Sequence, residues 1–143
     1  MPLAREHAAR HDRVVEYVTY QRGHLEGVVA LCDAEGWRSF AEDLNRANRV
    51  LTAPGVTTIV AIDCDAVVGF ASLQSDGEIQ AHLSTIAVDG SRRRSGIARR
   101  LLQEALDRAG GQRVDLITDS AESFYEALTH KRWSGFRVYP PFV

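Results

Sequence analysis

The residues with the clearest chemical potential form a basic, glycine-containing loop between a predicted strand and a predicted helix. Segment 89–96 reads DGSRRRSG, and the apolar strand before it ends near Val88. The first amides of a helix have no intrahelical acceptor, and the helix dipole is positive there. Arg93 and Arg94 add donors that suit phosphate oxygens. Because Gly96 has no side chain to keep an anion from the backbone, the junction predicts a pyrophosphate site.

A second interpretation of this loop is a glycine-bearing turn with a solvated basic run, because one glycine-rich turn is a weak signal. The segment that follows, 96–109, favours a helix with one apolar face. Its apolar residues recur at helical spacing, at Ile97, Leu101, Leu102, Ala105 and Leu106. We therefore expect this helix to pack on a sheet and to begin at the loop.

The rest of the chain predicts strands and helices in the order β-α-α-β-β-β-α-β-α-β. Strand-like patterns rich in β-branched and aromatic residues cover 14–20, 57–62, 67–74, 79–88, 114–118 and 136–139. Helical patterns cover 24–34, 39–51, 96–109 and 121–129. Ser39, with Glu42 three residues later, is the expected N-cap of the second helix. The order predicts a mixed α/β fold in which an antiparallel meander precedes right-handed crossover units.

Length and composition are those of one globular domain. The chain has 143 residues, of which 45% are hydrophobic and 25% are charged. No linker or repeat divides it, so we expect a polar extension over residues 1–13 and a single domain over residues 14–143. The net charge of -2 gives no general reason to expect binding to a nucleic acid or to a membrane.

Three features of the sequence indicate whether the protein holds a metal and where in the cell it lies: its cysteines, its histidines and its first residues. Cys32 and Cys64 lie far apart and outside any CxxC pattern, which favours two buried thiols over a disulfide framework or a zinc site. The five histidines lack metal-ligand spacing, so we expect no metal. No stretch approaches the ~18 apolar residues that cross a bilayer. Residues 1–13 contain no apolar signal region, and we expect a cytoplasmic protein.

Segment 93–98, RRSGIA, resembles the Q/R-x-x-G-x-G/A signature of the GCN5-related N-acetyltransferases. In this alignment Arg93 takes the first position, Gly96 the central glycine and Ala98 the final small residue. The strand in front, STIAV, and the helix behind, IARRLLQEAL, are also similar to the family. The resemblance implies a mixed, mostly antiparallel sheet with a splayed central parallel pair and helices on both faces.

Two further segments carry the resemblance towards the end of the chain. Segment 123–128, SFYEAL, resembles the family's fourth-helix segment, and Gly135-Phe136 resembles the GF pair that begins its last strand. The six residues between them, THKRWS at 129–134, depart from the family pattern. This insertion leaves open how the last strand pairs.

The resemblance implies acetyl-CoA as cosubstrate and assigns its contacts. The residues implied in holding the pyrophosphate are Arg93, Arg94, Ser95, Gly96, Ile97, Ala98 and Arg99. The backbone groups implied in pairing with pantetheine are those of Ile86, Ala87 and Val88. An amide near Ile86 or Ala87 would also stabilise the oxyanion.

The implied reaction is direct attack of a primary amine, from a small molecule or a peptide, on the thioester in a ternary complex. Tyr125 would protonate the departing thiolate; the alternative is a tyrosine that only packs. The general base stays open between Glu78, His82, Asp119 and a chain of water molecules. Trp37 is either a wall of the acceptor pocket or a core residue.

Two other functional classes compete with the enzyme. One is a catalytically silent acyl-CoA-binding regulatory module, which would keep the loop and dispense with Tyr125. The other is a nucleic-acid-binding protein that uses RRRSGIARR, against which the acidic net charge and the lack of interleaved aromatics count. Members of the resembling family are often dimers, which suggests a homodimer.

Overall fold

A five-stranded sheet in the order β1-β2-β3-β4-β5 lies at the centre of the computed structural model, which describes residues 14–142. The strands are β1 (Glu16–Thr19), β2 (Val56–Asp63), β3 (Ala66–Ser75), β4 (Gln80–Val88) and β5 (Arg113–Asp115). The helices are α1 (Leu25–Ala34), α2 (Arg38–Ala41), α3 (Leu44–Leu51), α4 (Ile97–Ala109) and α5 (Glu122–Glu126). Short 3-10 turns lie at Arg22–His24 and Gly90–Arg92. The expected polar extension, residues 1–13, falls outside the described residues.

The sheet is mixed, as the sequence predicts. Strands β1 to β4 pair antiparallel in sequence order, and β5 joins β4 in parallel through the crossover helix α4. The centre of β2 is apolar on both sides, because Ile59, Val60 and Ala61 are all fully buried. Helices therefore have to cover both faces of the sheet.

Each face of the sheet has its own hydrophobic cluster. On one face α1 and α3 cover Val60, Phe70 and Ala87. On the other face α4 covers the second cluster, and its buried residues Ile97, Leu101 and Ala105 confirm the predicted apolar stripe. Within the described part of the chain, none of the helices combines the length and the apolarity needed to cross a bilayer.

The region predicted as one helix from Ser39 to about residue 51 forms two helices, so that prediction is wrong. Helix α2 ends at Ala41, and α3 begins at Leu44. The Asp43 carboxylate accepts a hydrogen bond from the Arg46 amide at 3.0 Å and caps α3. An aspartate at this position starts a new helix, because it satisfies a first-turn amide that continuation of the first helix would have paired.

The parallel pairing between β4 and β5 is short. Strand β5 pairs with β4 at three positions, opposite Gln80, Ala81 and His82. Among the described residues no strand pairs with the rest of β4 on that side. Because β5 ends at Asp115 instead of continuing to residue 118 as predicted, the second half of β4 has no hydrogen-bonded strand on that side in the described chain, and this open edge forms the gap.

The last predicted strand, 136–139, does not form, and that prediction is wrong for this structure. The inserted segment is instead tied back to α5, where Arg132 contacts Glu122 at 2.7 Å and Glu126 at 2.5 Å. Phe136 remains 86% exposed. A strand there would need an edge to pair with, and β5 offers only three residues. The parallel pair therefore lies at one side of the sheet rather than at its centre.

The two cysteines are expected to differ sharply in reactivity. Cys32 is fully buried on α1, and burial raises its pKa to about 12, so its thiolate is scarce at neutral pH. Cys64, expected from the sequence to be buried, is exposed in the β2–β3 turn, where the chain faces solvent. A disulfide reagent such as DTNB should label only Cys64 rapidly in the folded protein, and Cys64→Ser should abolish that phase. Rapid labelling of Cys32 without denaturant would contradict its burial.

Candidate active site

The edge of the gap is formed by a bulged stretch of β4. Ser72 pairs with Thr85 and Leu73 pairs with Leu83, so Ser84 is an extra residue in β4. A bulge bends its strand and redirects the backbone groups that follow. It therefore separates the half of β4 that pairs with β5 from the half that faces the gap. Ile86, Ala87 and Val88 pair with β3 but have no partner strand on the β5 side, and the family resemblance implies the pantetheine contacts at these three residues.

The loop after β4 starts with a tightly bonded turn. The Asp89 amide donates to the Val68 carbonyl at 2.8 Å, which fastens the loop to β3. The Asp89 carboxylate accepts from the hydroxyl of Ser91 at 2.7 Å and from its amide at 2.9 Å. These two hydrogen bonds lower the pKa of Asp89, so the carboxylate stays charged and keeps the turn closed at neutral pH.

The arginines of the loop have different partners. Arg92 forms an ion pair with buried Asp63. Arg93 contacts Glu35, at the end of α1, at 2.9 Å, and both of these side chains are partly exposed. Arg94 and Arg99 are exposed and form no ion pair with the described residues. Their guanidinium groups are free to bind an anion.

The start of α4 has the features that an anion site requires. Gly96 has a φ of 84°, a left-handed conformation that disfavours other residues, and no atom lies within 4 Å of where its Cβ would be. The first helical hydrogen bond runs from Arg100 to the Gly96 carbonyl at 3.1 Å. The amides of Ile97, Ala98 and Arg99 donate to no acceptor in the described chain. These residues fit a diphosphate, whose oxygens would accept hydrogen bonds from the free amides in the space that Gly96 leaves open.

Tyr125 lies on the α4 side of the sheet, half-buried on the short helix α5. It packs against the cluster under α4, as do Ile86 and Val88 on β4. Its ring meets the Phe124 ring edge-on, with 4.9 Å between their centroids. Burial raises the pKa of Tyr125 above its ordinary value, so the phenol is neutral and able to donate a proton or hydrogen bond.

A cleft of about 420 Å³ lies on the opposite face of the sheet, beside the paired end of β4 and β5. His82 lines it together with Gln74, its cross-strand partner, and Gln80, which donates to Asp115 at 2.8 Å. Asp76 also lines the cleft, and the amides of residues 79, 78 and 80 lower the pKa of its carboxyl group. The lining of the cleft therefore contains both a negatively charged carboxylate and an imidazole.

The other sequence-predicted candidates do not line this cleft. Glu78 is exposed in the β3–β4 turn, where its amide donates to Asp76 at 2.8 Å. Asp119 is exposed after β5, and the hydroxyl of Thr118, rather than Asp119, accepts the Ala121 amide at 3.0 Å. Trp37 packs against the cluster under α1 and α3. Of these candidates, His82 alone lines the cleft in the described chain.

Sequence reasoning missed two residues next to the site. Asp63 directly follows the strand predicted over 57–62, and an aspartate in that position is a signal for a paired charge. Thr85 lies beside the bulge, and its buried hydroxyl has no hydrogen-bond partner in the described chain. Nothing in its sequence context separates Thr85 from an ordinary strand threonine. Among residues 14–142, no group of three or more potential ligands is arranged to hold a metal ion.

Comparison with known proteins identifies a family. Residues 54–128, just over half of the chain, match the family model described as an acetyltransferase (GNAT) domain. The match runs from the start of β2 to the end of α5, and it contains the gap, the loop and Tyr125. No curated protein sequence matches the chain significantly.

Solved structures of other proteins share the fold. An aminoglycoside N-acetyltransferase AAC(6')-Iy in complex with CoA is 18% identical, covers 92% of this chain and 97% of its own, and has a TM-score of 0.75. A transcriptional regulator from Bacillus halodurans C-125 is 22% identical, with coverages of 88% and 99% and a TM-score of 0.71. A ribosomal-protein-alanine N-acetyltransferase from Brucella melitensis biovar Abortus 2308 is 15% identical, with coverages of 88% and 99% and a TM-score of 0.69.

Proposed function

This chain belongs to the GNAT acetyltransferase family and is an acyltransferase, and from that premise we propose that it transfers an acetyl group from acetyl-CoA to a primary amine of a small molecule or a peptide. The observation that carries the proposal is the set of free amides at the start of α4, which follows the half of β4 that has no partner strand on the β5 side. One end of the cosubstrate is charged and the other is an extended amide chain. The loop suits the charged end, and the open edge of β4 suits the extended amide chain.

The loop residues divide the binding of the cosubstrate between backbone and side chains. Amides of residues 97–99 hold the pyrophosphate, and the arginines without an ion pair, Arg94 and Arg99, add charge. Arg93 and Ser95 complete the loop. The backbone of Ile86, Ala87 and Val88 binds the pantetheine arm, and an amide there also stabilises the oxyanion.

The two faces of the sheet hold the acid and the acceptor. Acetyl-CoA supplies an activated acyl group as a thioester. Tyr125, on the α4 face, donates a proton to the leaving sulfur, and its neutral phenol suits this role. The acceptor enters on the opposite face, through the cleft that contains His82. This arrangement supports His82 as the base that accepts the proton of the amine, with the gap between the two faces as the reaction site.

The charge of the cleft favours a cationic acceptor. Asp76 keeps its negative charge because three backbone amides bind its carboxylate. A molecule with several amino groups could leave one protonated near Asp76 while a neutral one attacks. Polyamines and aminoglycosides fit this description better than acidic peptides do.

The purified protein is expected to release CoA thiol from acetyl-CoA only when a suitable amine is present. The assay measures free thiol against a panel of polyamines, aminoglycosides, amino acids and peptides, and mass spectrometry identifies the acetylated product. Acetyl-CoA should also raise the thermal midpoint, because ligands that bind only the folded state stabilise it. A shift with an oligonucleotide but none with acetyl-CoA would contradict the proposal and favour the nucleic-acid alternative.

A second candidate is an acyl-CoA-binding regulatory module without catalysis. One observation favours it: a neighbour of the same fold is described as a transcriptional regulator. This alternative predicts a thermal shift with acetyl-CoA, no turnover with any amine and no effect of changing Tyr125. The thiol assay therefore separates the two candidates.

A further inference from the structure

We propose that Asp63 is a positioning residue for the cosubstrate loop, which it holds in its binding shape through Arg92. The proposal rests on the proposed function, because the loop is taken to bind acetyl-CoA. It assigns a role to the last residue of β2, which lies outside the loop and 29 positions before Arg92 in the sequence.

Asp63 is a buried residue of the central sheet. Its side chain is 2% exposed, and its backbone pairs with Ala66 across the β2–β3 hairpin. A carboxylate at such depth requires a charged or hydrogen-bonding partner, because desolvation otherwise penalises the ion. The Arg92 guanidinium, with its side chain 34% exposed, supplies a charge-assisted hydrogen bond. The pair therefore links the middle of the loop to the edge of the core.

Arg92 is also bonded to the loop on both sides through its backbone. Its amide donates to the Asp89 carbonyl at 2.9 Å, and its carbonyl accepts a hydrogen bond from the Ser95 hydroxyl. Ser95 directly precedes Gly96, where the left-handed turn opens α4. Fixing the Arg92 side chain on Asp63 thus fixes the residues that aim the free amides at a ligand.

The pair between Arg92 and Asp63 differs from the other ion pair of the loop. The contact between Arg93 and Glu35 joins side chains that are 63% and 30% exposed, and solvent weakens such pairs. Arg93 can therefore exchange Glu35 for a phosphate, whereas Arg92 stays with its buried partner. In this assignment Arg92 shapes the loop and does not bind phosphate.

The test compares Asp63→Asn with Asp65→Asn. Both variants remove one carboxylate from the β2–β3 hairpin, but Asp65 lies in its turn and is exposed, and its φ of 65° suits asparagine. Asp63→Asn is expected to raise the KM for acetyl-CoA and the Kd for CoA about 10-fold or more, because it leaves Arg92 without its charged partner. The kcat at saturating acetyl-CoA and the KM for the amine should stay within about 2-fold, and Asp65→Asn should resemble the wild type. Equal CoA affinity in the two variants would overturn the proposal.

A double-mutant cycle of Asp63→Asn and Arg92→Gln tests whether Arg92 positions the loop or binds phosphate directly. If Asp63 acts through Arg92, the double variant should bind CoA no more weakly than the weaker single variant. If the two losses of CoA affinity add, or if Arg92→Gln alone loses affinity, the proposal is overturned and Arg92 is a phosphate ligand. Arg92→Lys keeps the charge and should recover part of the affinity, which provides a readout if Asp63→Asn does not fold.

Hydrogen exchange of free protein gives a readout without ligand. Amides of residues 90–98 should exchange faster in Asp63→Asn than in Asp65→Asn, while the amides of α1 exchange alike. Unchanged exchange in the loop would overturn the proposal even if binding falls. If the wild type binds no CoA, the proposed function fails and the positioning role fails with it. If the wild type binds CoA and Asp63→Asn binds it equally well, only the positioning role fails.

Discussion

Tyr125→Phe is expected to lower kcat about 100-fold with acetyl-CoA and a good acceptor amine, because the leaving thiolate would lose its proton donor. The KM for acetyl-CoA should change little, since the ring and its packing under α4 are retained. The measurement is thiol release at saturating concentrations of both substrates. A kcat within a few-fold of the wild type, with acetylated product still formed, would show that Tyr125 only packs.

Tyr17→Phe provides the matched control. Tyr17 packs against the same cluster as Tyr125, and burial likewise raises the pKa of its hydroxyl. It lies on β1, separated from β4 by two strands, and its ring faces the Arg100 guanidinium at 5.3 Å. Removing its hydroxyl should leave kcat unchanged. A loss equal to that of Tyr125→Phe would indicate a general effect on packing.

The pH dependence follows from the direction of the Tyr125 shift. A tyrosine donates from its protonated form, and a pKa raised above the ordinary value near 10 extends that form to higher pH. The ratio of wild-type to Tyr125→Phe kcat should therefore stay constant between about pH 6 and pH 9, well below the pKa. A ratio that falls steeply within this range would mean that another group donates the proton.

Gly96→Ala is expected to lower kcat/KM for acetyl-CoA by about 5- to 30-fold, because an interaction between an anion and a helix N-terminus contributes ~1–2 kcal/mol. The φ of 84° at position 96 disfavours alanine, so the loop shifts away from the geometry that aims the amides of residues 97–99. The kcat at saturating acetyl-CoA should change less than KM, since the substitution acts on binding of the cosubstrate.

Gly77→Ala controls for backbone strain. Gly77 has a φ of 83° in the β3–β4 turn, and no atom lies within 4 Å of its Cβ position, so the two substitutions carry similar strain. Both should lower the free energy of unfolding by ~1–2 kcal/mol. Only Gly96→Ala should weaken binding of acetyl-CoA. If the two variants change the KM for acetyl-CoA equally, the loop is not part of the acetyl-CoA site.

The sequence alone determined the features that depend on neighbouring residues. The apolar spacing from Ile97 to Leu106 predicted the buried face of α4, because helix geometry brings those positions together wherever the helix packs. Gly96 after a basic run predicted the open helix start, since its conformation and free amides are local properties. The antiparallel meander followed from short turns between β-rich segments.

Tertiary structure decided the features that depend on distant partners. Sheet register and depth of burial decide which residues meet, and no local pattern encodes them. They decide that Asp63 pairs with Arg92, that Cys64 is exposed and that His82 lines the cleft. The last strand failed for the same reason: residues 136–139 have strand-forming side chains, but β5 is too short to pair with them. A strand requires a hydrogen-bonding neighbour, whereas a helix satisfies its own backbone, so distant contacts decide strands and ion pairs.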